Sequence, residues 1–244
     1  MLERLRRLVS GPSTAVREED WRFELDGVPL PLPVAIHPVR APRVVLILPG
    51  YDGAIDGYQE KYVKVAELLR QRGVGAVVRT GNHVVPGFGF EATCLARLRG
   101  LLGEIARRAA SLCDHTRPEL YLLGVSAGAS AMAALGHEWP AVRKMLLVAP
   151  SADAGPERVE AGLAAFTGEL FVVAGEEDEV VGDYPRALPL LATRAARREL
   201  RLVPGCDHQF RGAQNGRILS QAPLWAFLGD EPFPDPRRGI HLYD

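Results

Sequence analysis

The chain has 244 residues, a formal net charge of −1, 47% hydrophobic residues and 24% charged residues. This length suits one sizeable α/β domain over residues 1–244, and the near-neutral charge argues against nucleic acid as a partner. No apolar run approaches the roughly 18 residues that a membrane span needs, and the amino-terminal MLERLRRLVS lacks the apolar core of a signal peptide. We therefore expect a cytoplasmic protein that does not associate with membranes.

Cysteine usage gives no sign of a metal site or a disulfide framework. Cys94, Cys113 and Cys206 are widely spaced and odd in number, and they form no C-x-x-C or Cys/His pattern. We expect free thiols in a reducing compartment, with no metal and no organic cofactor.

The first predicted elements lie at an edge of the fold. Residues 2–9 are expected to form a short helix, and the rest of residues 1–40 two extended runs separated by the turn Asp26-Gly27. Prolines in these runs favour edge strands. Arg43–Leu48 is a continuous apolar run typical of a buried parallel strand, and it ends in the loop LPGYDGA.

From there strands and helices alternate along the chain. Further strands are predicted at 74–79, 120–125, 144–148, 170–174 and 199–203, and helices at 58–72, 91–112, 129–135, 156–166, 184–196 and 218–228, followed by a surface tail at 229–244. This alternation predicts a single-domain α/β fold: a mostly parallel sheet with helices on both faces. Ligand sites in such sheets lie outside the carboxyl ends of the strands.

The stretch Leu120–Gly128 carries the most specific motif. An apolar strand ends in G-x-S-x-G with Ser126 at its centre, and a helix-forming run of small residues follows. A strand, a sharp turn and a helix are the context in which this motif presents a nucleophilic serine.

A serine hydroxyl needs a base within hydrogen-bond reach, and position selects one histidine. His208 follows the last predicted strand and therefore lies at the carboxyl edge of the sheet. His37 and His115 precede strands, at the opposite edge. His137 lies beyond the helix after the serine, and His241 lies in the tail.

The acid that orients the base is predicted to be Asp178, directly after the strand at 170–174. Its neighbours Glu176 and Glu177 are rivals, and Asp153 after the strand at 144–148 is a fourth possibility. Asp207 adjoins the candidate histidine and should point elsewhere in an extended loop.

With these residues identified, the chain resembles an α/β-hydrolase over roughly residues 40–230. That family has its nucleophile, acid and histidine in this chain order, which implies those roles for Ser126, Asp178 and His208. The loop LPGYDGA is similar to the P-G-Y segment of bacterial cutinases and polyester hydrolases, and more broadly to the dienelactone-hydrolase branch. The resemblance implies an oxyanion hole made by the backbone N–H groups of Tyr51 and Ala127.

Substrate contacts are predicted from two loops at the same edge. Asp52 lies in the oxyanion loop, and Asn82, His83 and Phe88 lie in the loop 81–90. Ordinary loop packing is the alternative for these residues. Only about 20 residues separate the strands at 144–148 and 170–174, so no large cap is expected.

The predicted function is a serine hydrolase that cleaves a small or medium carboxylic ester, thioester or lactone through an acyl-enzyme. A peptidase, an amidase or an acyltransferase on the same site is an alternative, and a non-catalytic binding protein on the same fold is a second one. GVSAGA also resembles the serine motif of dipeptidase-E-like peptidases, but His137 is too close to the serine to serve as their histidine. The oligomeric state stays open.

Overall fold

A computed structural model describes residues 15–234, so the helix predicted at 2–9 and the end of the predicted tail lie outside the described residues. The described chain begins with a hairpin of strand β1 (Arg17–Leu25) and strand β2 (Val28–His37). Asp26 and Gly27 join them with φ angles of 51° and 76°. Positive φ at both turn residues matches the right-handed twist of paired strands, as the Asp-Gly sequence predicts.

The remaining elements alternate as predicted. The strands are β3 (Arg43–Leu48), β4 (Ala76–Thr80), β5 (Glu119–Val125), β6 (Val142–Val148), β7 (Glu169–Gly175) and β8 (Arg197–Val203). The α-helices are α1 (Lys61–Gln71), α2 (Phe90–Cys113), α3 (Ala127–Leu135), α4 (Pro156–Ala165), α5 (Tyr184–Leu191) and α6 (Ala213–Leu228), and Tyr58–Glu60 and Gly136–Glu138 form 3-10 turns.

The eight strands form one sheet in the order β1-β2-β4-β3-β5-β6-β7-β8. Strands β3 to β8 are parallel, while β2 pairs antiparallel with both of its neighbours. The predicted α/β class with a mostly parallel sheet is therefore confirmed. The carboxyl ends of all parallel strands meet at one edge, where the candidate site lies.

The prediction that both early strands are edge strands is wrong for β2, which lies between β1 and β4. Its pairing with β4 covers only Val34–His37. Pro29, Pro31 and Pro33 precede that segment. The prolines therefore have no ladder partner on the β4 side that would require an N–H donor.

Two apolar layers cover the sheet. Helices α2, α3, α4 and α5 pack on one face around residues such as Leu98, Met132, Leu163 and Leu188. Helices α1 and α6 pack on the other face, where Leu69 and Trp225 are buried. Between β6 and β7 the chain forms only α4 and its connecting turns. The structure thus has no large cap over this part of the described chain.

Residues 15–234 lack disulfides, membrane-spanning helices and metal-ligating clusters. Cys94, Cys113 and Cys206 are buried free thiols. No helix in this part of the chain combines the length and apolarity needed to cross a bilayer, and no cluster of three or more metal-ligating side chains occurs within it.

One buried titratable group lies in the sheet far from the predicted serine site. His37 is 1% exposed, and its Nε2 accepts a hydrogen bond from Arg79 Nε at 2.9 Å. Its Nδ1 has no hydrogen-bond partner among the described residues and lies 3.9 Å from the carboxylate of Glu67. Burial, reinforced by the positive charge of Arg79, lowers the pKa of His37 to about 4. The imidazole is therefore neutral at pH 7.

This histidine predicts a loss of stability in mild acid. Its pKa is 6.5 in the unfolded chain and about 4 in the folded protein, so between these values the unfolded state binds a proton that the folded state excludes. The free energy of unfolding should fall as pH decreases through this window, by up to about 3 kcal/mol in total. Urea unfolding between pH 7 and pH 4.5 measures the effect.

The matched variant is His37→Gln, whose amide oxygen can still accept from Arg79 but does not titrate. It should flatten the pH dependence above pH 4.5. Glu67 contributes little above pH 4.5, because its pKa is 4.5 in the unfolded chain and a hydrogen bond from Arg70 lowers it to about 2 in the folded protein. Equal slopes for His37→Gln and wild type would show that another group controls the acid sensitivity.

Candidate active site

The sharp turn between β5 and α3 places Ser126 at the carboxyl edge of the sheet. Its backbone has φ 52° and ψ −118°, a conformation that residues with a Cβ avoid. The Ser126 N–H donates to Val148 O at 2.8 Å, and its carbonyl accepts from Ser130 N at 3.0 Å in the first turn of α3. Those hydrogen bonds hold the strained residue in place.

Two glycines make this turn possible. A Cβ on Gly124 would lie 2.5 Å from Ala129 Cα, and one on Gly128 would lie 2.4 Å from the carbonyl oxygens of Leu48 and Pro49. Any larger residue would therefore push α3 away from β5 or from the end of β3. The G-x-S-x-G spacing is thus a steric requirement of this turn.

The strain at Ser126 predicts an unusual stability effect. Ser126→Gly should raise the free energy of unfolding by about 1 kcal/mol because glycine adopts positive φ without steric cost. Ser126→Ala should give no such gain, because alanine keeps the Cβ that causes the strain. Thermal unfolding of both variants, beside wild type, tests the effect. Identical midpoints for the two variants would mean that the turn is not strained.

Ser126, His208 and Asp178 form a continuous chain of hydrogen bonds. His208 Nε2 lies 3.1 Å from Ser126 Oγ, and His208 Nδ1 lies 2.8 Å from Asp178 Oδ2. Asp178 is 4% exposed, and its Oδ1 accepts from the backbone N–H groups of Val180 and Val181 at 3.0 and 3.2 Å. Both oxygens of the buried carboxylate are therefore satisfied, and Oδ2 is directed at the histidine.

This geometry fixes the proton positions that are needed for base catalysis. An ionised Asp178 only accepts hydrogen bonds, so His208 Nδ1 carries the hydrogen that lies between them. In the neutral imidazole Nε2 is then unprotonated and accepts from the hydroxyl of Ser126. A neutral imidazole in this orientation can accept the proton of a serine hydroxyl.

The structure separates Asp178 from the other candidate acids. Glu176 and Glu177 are exposed. Asp153 is exposed and accepts a hydrogen bond from Ser151 Oγ at 2.6 Å. Asp207 caps its own loop by accepting from the N–H groups of Gln209 and Arg211. Of these candidate acids, only Asp178 has a carboxylate that contacts the imidazole of His208.

The predicted oxyanion donors lie beside the serine. A Cβ on Gly50 would be 3.0 Å from Ser126 Cβ, so the loop after β3 packs directly against the serine side of the turn. Tyr51 follows in this loop, and Ala127 is the first residue of α3. Neither backbone N–H has a hydrogen-bond partner within residues 15–234. The amino terminus of α3 adds partial positive charge where an oxyanion would form.

The side chains predicted to contact substrate have different surroundings. Asp52 and His83 are exposed and paired, with Asp52 Oδ1 3.3 Å from His83 Nδ1. Tyr51 is 61% exposed and its ring lies 4.4 Å from that of Phe90. Phe88 is half-buried and packs against the core, in agreement with the alternative of ordinary loop packing.

Asn82 requires a correction. It is fully buried, and its amide nitrogen donates to Pro49 O at 3.1 Å and to Cys94 Sγ at 3.3 Å. Direct contact with substrate, as predicted from its place after β4, does not fit this burial. Its side chain instead binds the loop that carries Tyr51.

Comparisons with known proteins address the fold. No protein-family model matches the sequence, and no curated protein matches it. Dienelactone hydrolase from Anabaena variabilis superposes with a TM-score of 0.71 at 17% identity, covering 88% of this chain and 98% of that chain. Est1E from Butyrivibrio proteoclasticus gives 0.63 at 17% identity, covering 83% and 95%. An α/β serine hydrolase homologue from Coxiella burnetii gives 0.63 at 18% identity, covering 84% and 96%.

The chain has the α/β-hydrolase fold. The assignment of the fold rests on the superposition, which covers nearly the whole length of each neighbour, and on the sheet order and the sharp turn at Ser126. In an α/β-hydrolase fold the turn after β5 presents the nucleophile, which is the position of Ser126.

Sequence reasoning missed one residue near the site of this α/β-hydrolase fold. Arg97 is 5% exposed, and its guanidinium donates to Asn82 Oδ1 at 2.5 Å and to His83 O at 2.8 Å. The signal was present in α2: Arg97 lies on the same helical face as the buried Cys94 and Leu101. A cation in an apolar stripe indicates a buried polar partner.

Proposed function

We propose that this protein is a serine hydrolase that cleaves a small or medium carboxylic ester, thioester or lactone through an acyl-enzyme. The observation that carries the proposal is the hydrogen-bond chain from Ser126 Oγ through His208 to the buried carboxylate of Asp178. A serine bonded to an oriented, unprotonated imidazole nitrogen is the arrangement that activates a hydroxyl for attack on a carbonyl. The choice of an ester is supported by structural neighbours that include an esterase domain, a cold-adapted esterase and a dienelactone hydrolase.

In the acylation half of the proposed cycle, His208 Nε2 takes the hydroxyl proton as Ser126 Oγ forms a bond to the substrate carbonyl carbon. The carbonyl oxygen becomes an oxyanion, which the N–H groups of Tyr51 and Ala127 stabilise. Asp178 remains ionised and stabilises the imidazolium. The bond to the leaving alcohol then breaks, and His208 gives its proton to the departing oxygen.

In the deacylation half, water takes the place of the alcohol. His208 removes one proton from this water as its oxygen attacks the acyl carbon, and the same N–H groups hold the second oxyanion. The bond from the acyl carbon to Ser126 Oγ breaks, and the serine recovers its proton from His208. Each step uses only these protein groups and water.

We also propose a cytoplasmic, single-domain protein whose partner is a small ester-type molecule. The three buried free thiols support a reducing compartment, where cysteines stay unpaired. The net charge of −1 supports a small-molecule partner over nucleic acid.

Hydrolysis of a p-nitrophenyl ester series from acetate to decanoate, with Ser126→Ala beside wild type, tests the proposal. We expect turnover that depends on Ser126, with a maximum at a short or medium acyl chain. Matched p-nitroanilides separate an esterase from an amidase. Equal rates for wild type and Ser126→Ala, or turnover of the anilides alone, would contradict the proposed ester hydrolase.

A further inference from the structure

Asn82 binds both ends of the loop that carries the predicted oxyanion donor. Its side-chain Nδ2 donates to Pro49 O at 3.1 Å, and its backbone N–H donates to Gly53 O at 2.8 Å. Tyr51 lies between these two anchors. The loop itself closes through a single turn hydrogen bond from Gly53 N to Gly50 O at 3.1 Å. The exposed Asp52 side chain adds a contact with His83 and Val84, but the two buried anchors that flank Tyr51 both come from Asn82.

The anchored carbonyl also lies against the serine turn. A Cβ on Gly128 would be 2.4 Å from Pro49 O, and one on Gly50 would be 3.0 Å from Ser126 Cβ. No free space separates the loop from the first turn of α3 at these points. A shift of Pro49 O would therefore change the distance between the Tyr51 N–H and the nucleophile.

Arg97 determines which way the amide of Asn82 points. A guanidinium has only donors, so the amide oxygen must face Arg97, where the Nη1···Oδ1 distance is 2.5 Å. The amide nitrogen is then directed at Pro49 O and Cys94 Sγ. Arg97 has no carboxylate within ion-pair distance among the described residues. Its other hydrogen bond goes to His83 O, and its Cζ lies 5.3 Å from the centroid of the Phe23 ring.

Burying the guanidinium of Arg97 costs folding free energy, which a residue that served only to fill space would not need. A nearly buried guanidinium without a counter-charge destabilises a fold, and an apolar residue at the same place would avoid that penalty. Burial also lowers the pKa of Arg97, in keeping with this cost. Two hydrogen bonds and the contact with the Phe23 ring offset part of this cost. Natural sequences depart from such packing rules mainly at functional sites.

We propose that Asn82 is a positioning residue of the oxyanion hole and that the buried guanidinium of Arg97 sets its orientation. Asn82 holds Pro49 O, and thereby the Tyr51 N–H, at the distance from Ser126 that the transition state requires. The inference rests on the proposed hydrolase function, because it concerns the oxyanion of the same reaction. Asn82 acts through Tyr51 and does not touch substrate.

The test uses the isosteric variant Asn82→Asp in the full-length protein. An aspartate keeps the volume and still accepts from Arg97, but its second oxygen faces Pro49 O without a hydrogen to donate. We expect kcat for a p-nitrophenyl ester to fall about 10- to 100-fold with little change in KM, because an oxyanion contact is made mainly in the transition state.

The matched control is Thr80→Val, two residues earlier in the chain. Thr80 is 1% exposed and its hydroxyl donates to Pro33 O at 2.7 Å, so the variant also removes a buried hydrogen bond to a proline carbonyl. It should lose comparable stability but retain kcat. Equal kcat values for Asn82→Asp and Thr80→Val, or an effect of Asn82→Asp on KM alone, would overturn the proposal.

A second variant and a second measurement keep the proposal separate from folding and from substrate choice. Arg97→Met frees the amide of Asn82 to rotate and should lower kcat, as Asn82→Asp does. A folded Arg97→Met with wild-type kcat would overturn the orienting role.

The rate constant for labelling of Asn82→Asp by a fluorophosphonate should fall with kcat, since phosphonylation also places an oxygen in the oxyanion hole. If wild type is labelled but cleaves no ester, the ester assignment fails while Asn82→Asp still tests positioning through the labelling rate.

Discussion

Replacing Ser126 with alanine is expected to lower kcat for ester hydrolysis by about 10⁴- to 10⁶-fold, because no other group in the proposed cycle can form the acyl-enzyme. The fold should persist, because the alanine variant loses only the hydrogen bond between Ser126 Oγ and His208. The hydrogen bonds that hold the turn use the backbone of Ser126 and remain. Steady-state kinetics on the best p-nitrophenyl ester, with circular dichroism on the same samples, measures both effects.

Ser151→Ala is the matched control for this prediction. Ser151 lies beside the turn, with its N–H 3.5 Å from Ser126 O, and its hydroxyl donates to Asp153. Its removal should leave kcat within about one order of magnitude of wild type, since the hydroxyl does not contact His208. A comparable loss of kcat in Ser126→Ala and Ser151→Ala would contradict the assignment of Ser126 as the nucleophile.

Asp178→Asn is expected to lower kcat by about 10⁴-fold with little change in KM. The amide nitrogen of an asparagine would donate to His208 Nδ1, which would place the imidazole hydrogen on Nε2. That nitrogen could then no longer accept the proton of Ser126. The backbone hydrogen bonds from Val180 and Val181 can persist on the amide oxygen, so the variant should remain folded.

The control for this assignment is Asp153→Asn, which changes the other aspartate near the serine turn. Asp153 is exposed and bonds to Ser151, not to His208. Its kcat should stay close to that of wild type. Wild-type activity in Asp178→Asn combined with a large loss in Asp153→Asn would transfer the role of acid to Asp153.

Local sequence patterns predict most of this fold because they report local physics. Apolar runs predict buried parallel strands such as β3, whose bounds agree with the prediction of Arg43–Leu48. The helix predicted at 218–228 begins earlier, at Ala213. The prediction missed this first turn because the turn is polar and carries no apolar stripe. The helix predicted at 184–196 ends at Leu191, two residues after Pro189, which has no N–H to donate to a helical hydrogen bond.

The placement of Ser126, Asp178 and His208 could be predicted because all three follow strands that end at one edge. Their catalytic roles stay predictions that the variants above test. The function of Asn82 was not predictable in the same way. Its burial depends on how the loops after β3 and β4 pack against α2, which involves Pro49 and Arg97 from distant parts of the sequence.

Covalent labelling of the wild-type protein with a fluorophosphonate, mapped by peptide mass spectrometry, tests the central claim most directly. We predict a single adduct on Ser126, absent in Ser126→Ala and formed much more slowly in His208→Ala, because the reagent reacts only with a serine activated by a base. An unlabelled wild type, or an adduct on another residue such as Ser151, would contradict the claim that Ser126 is an activated nucleophile.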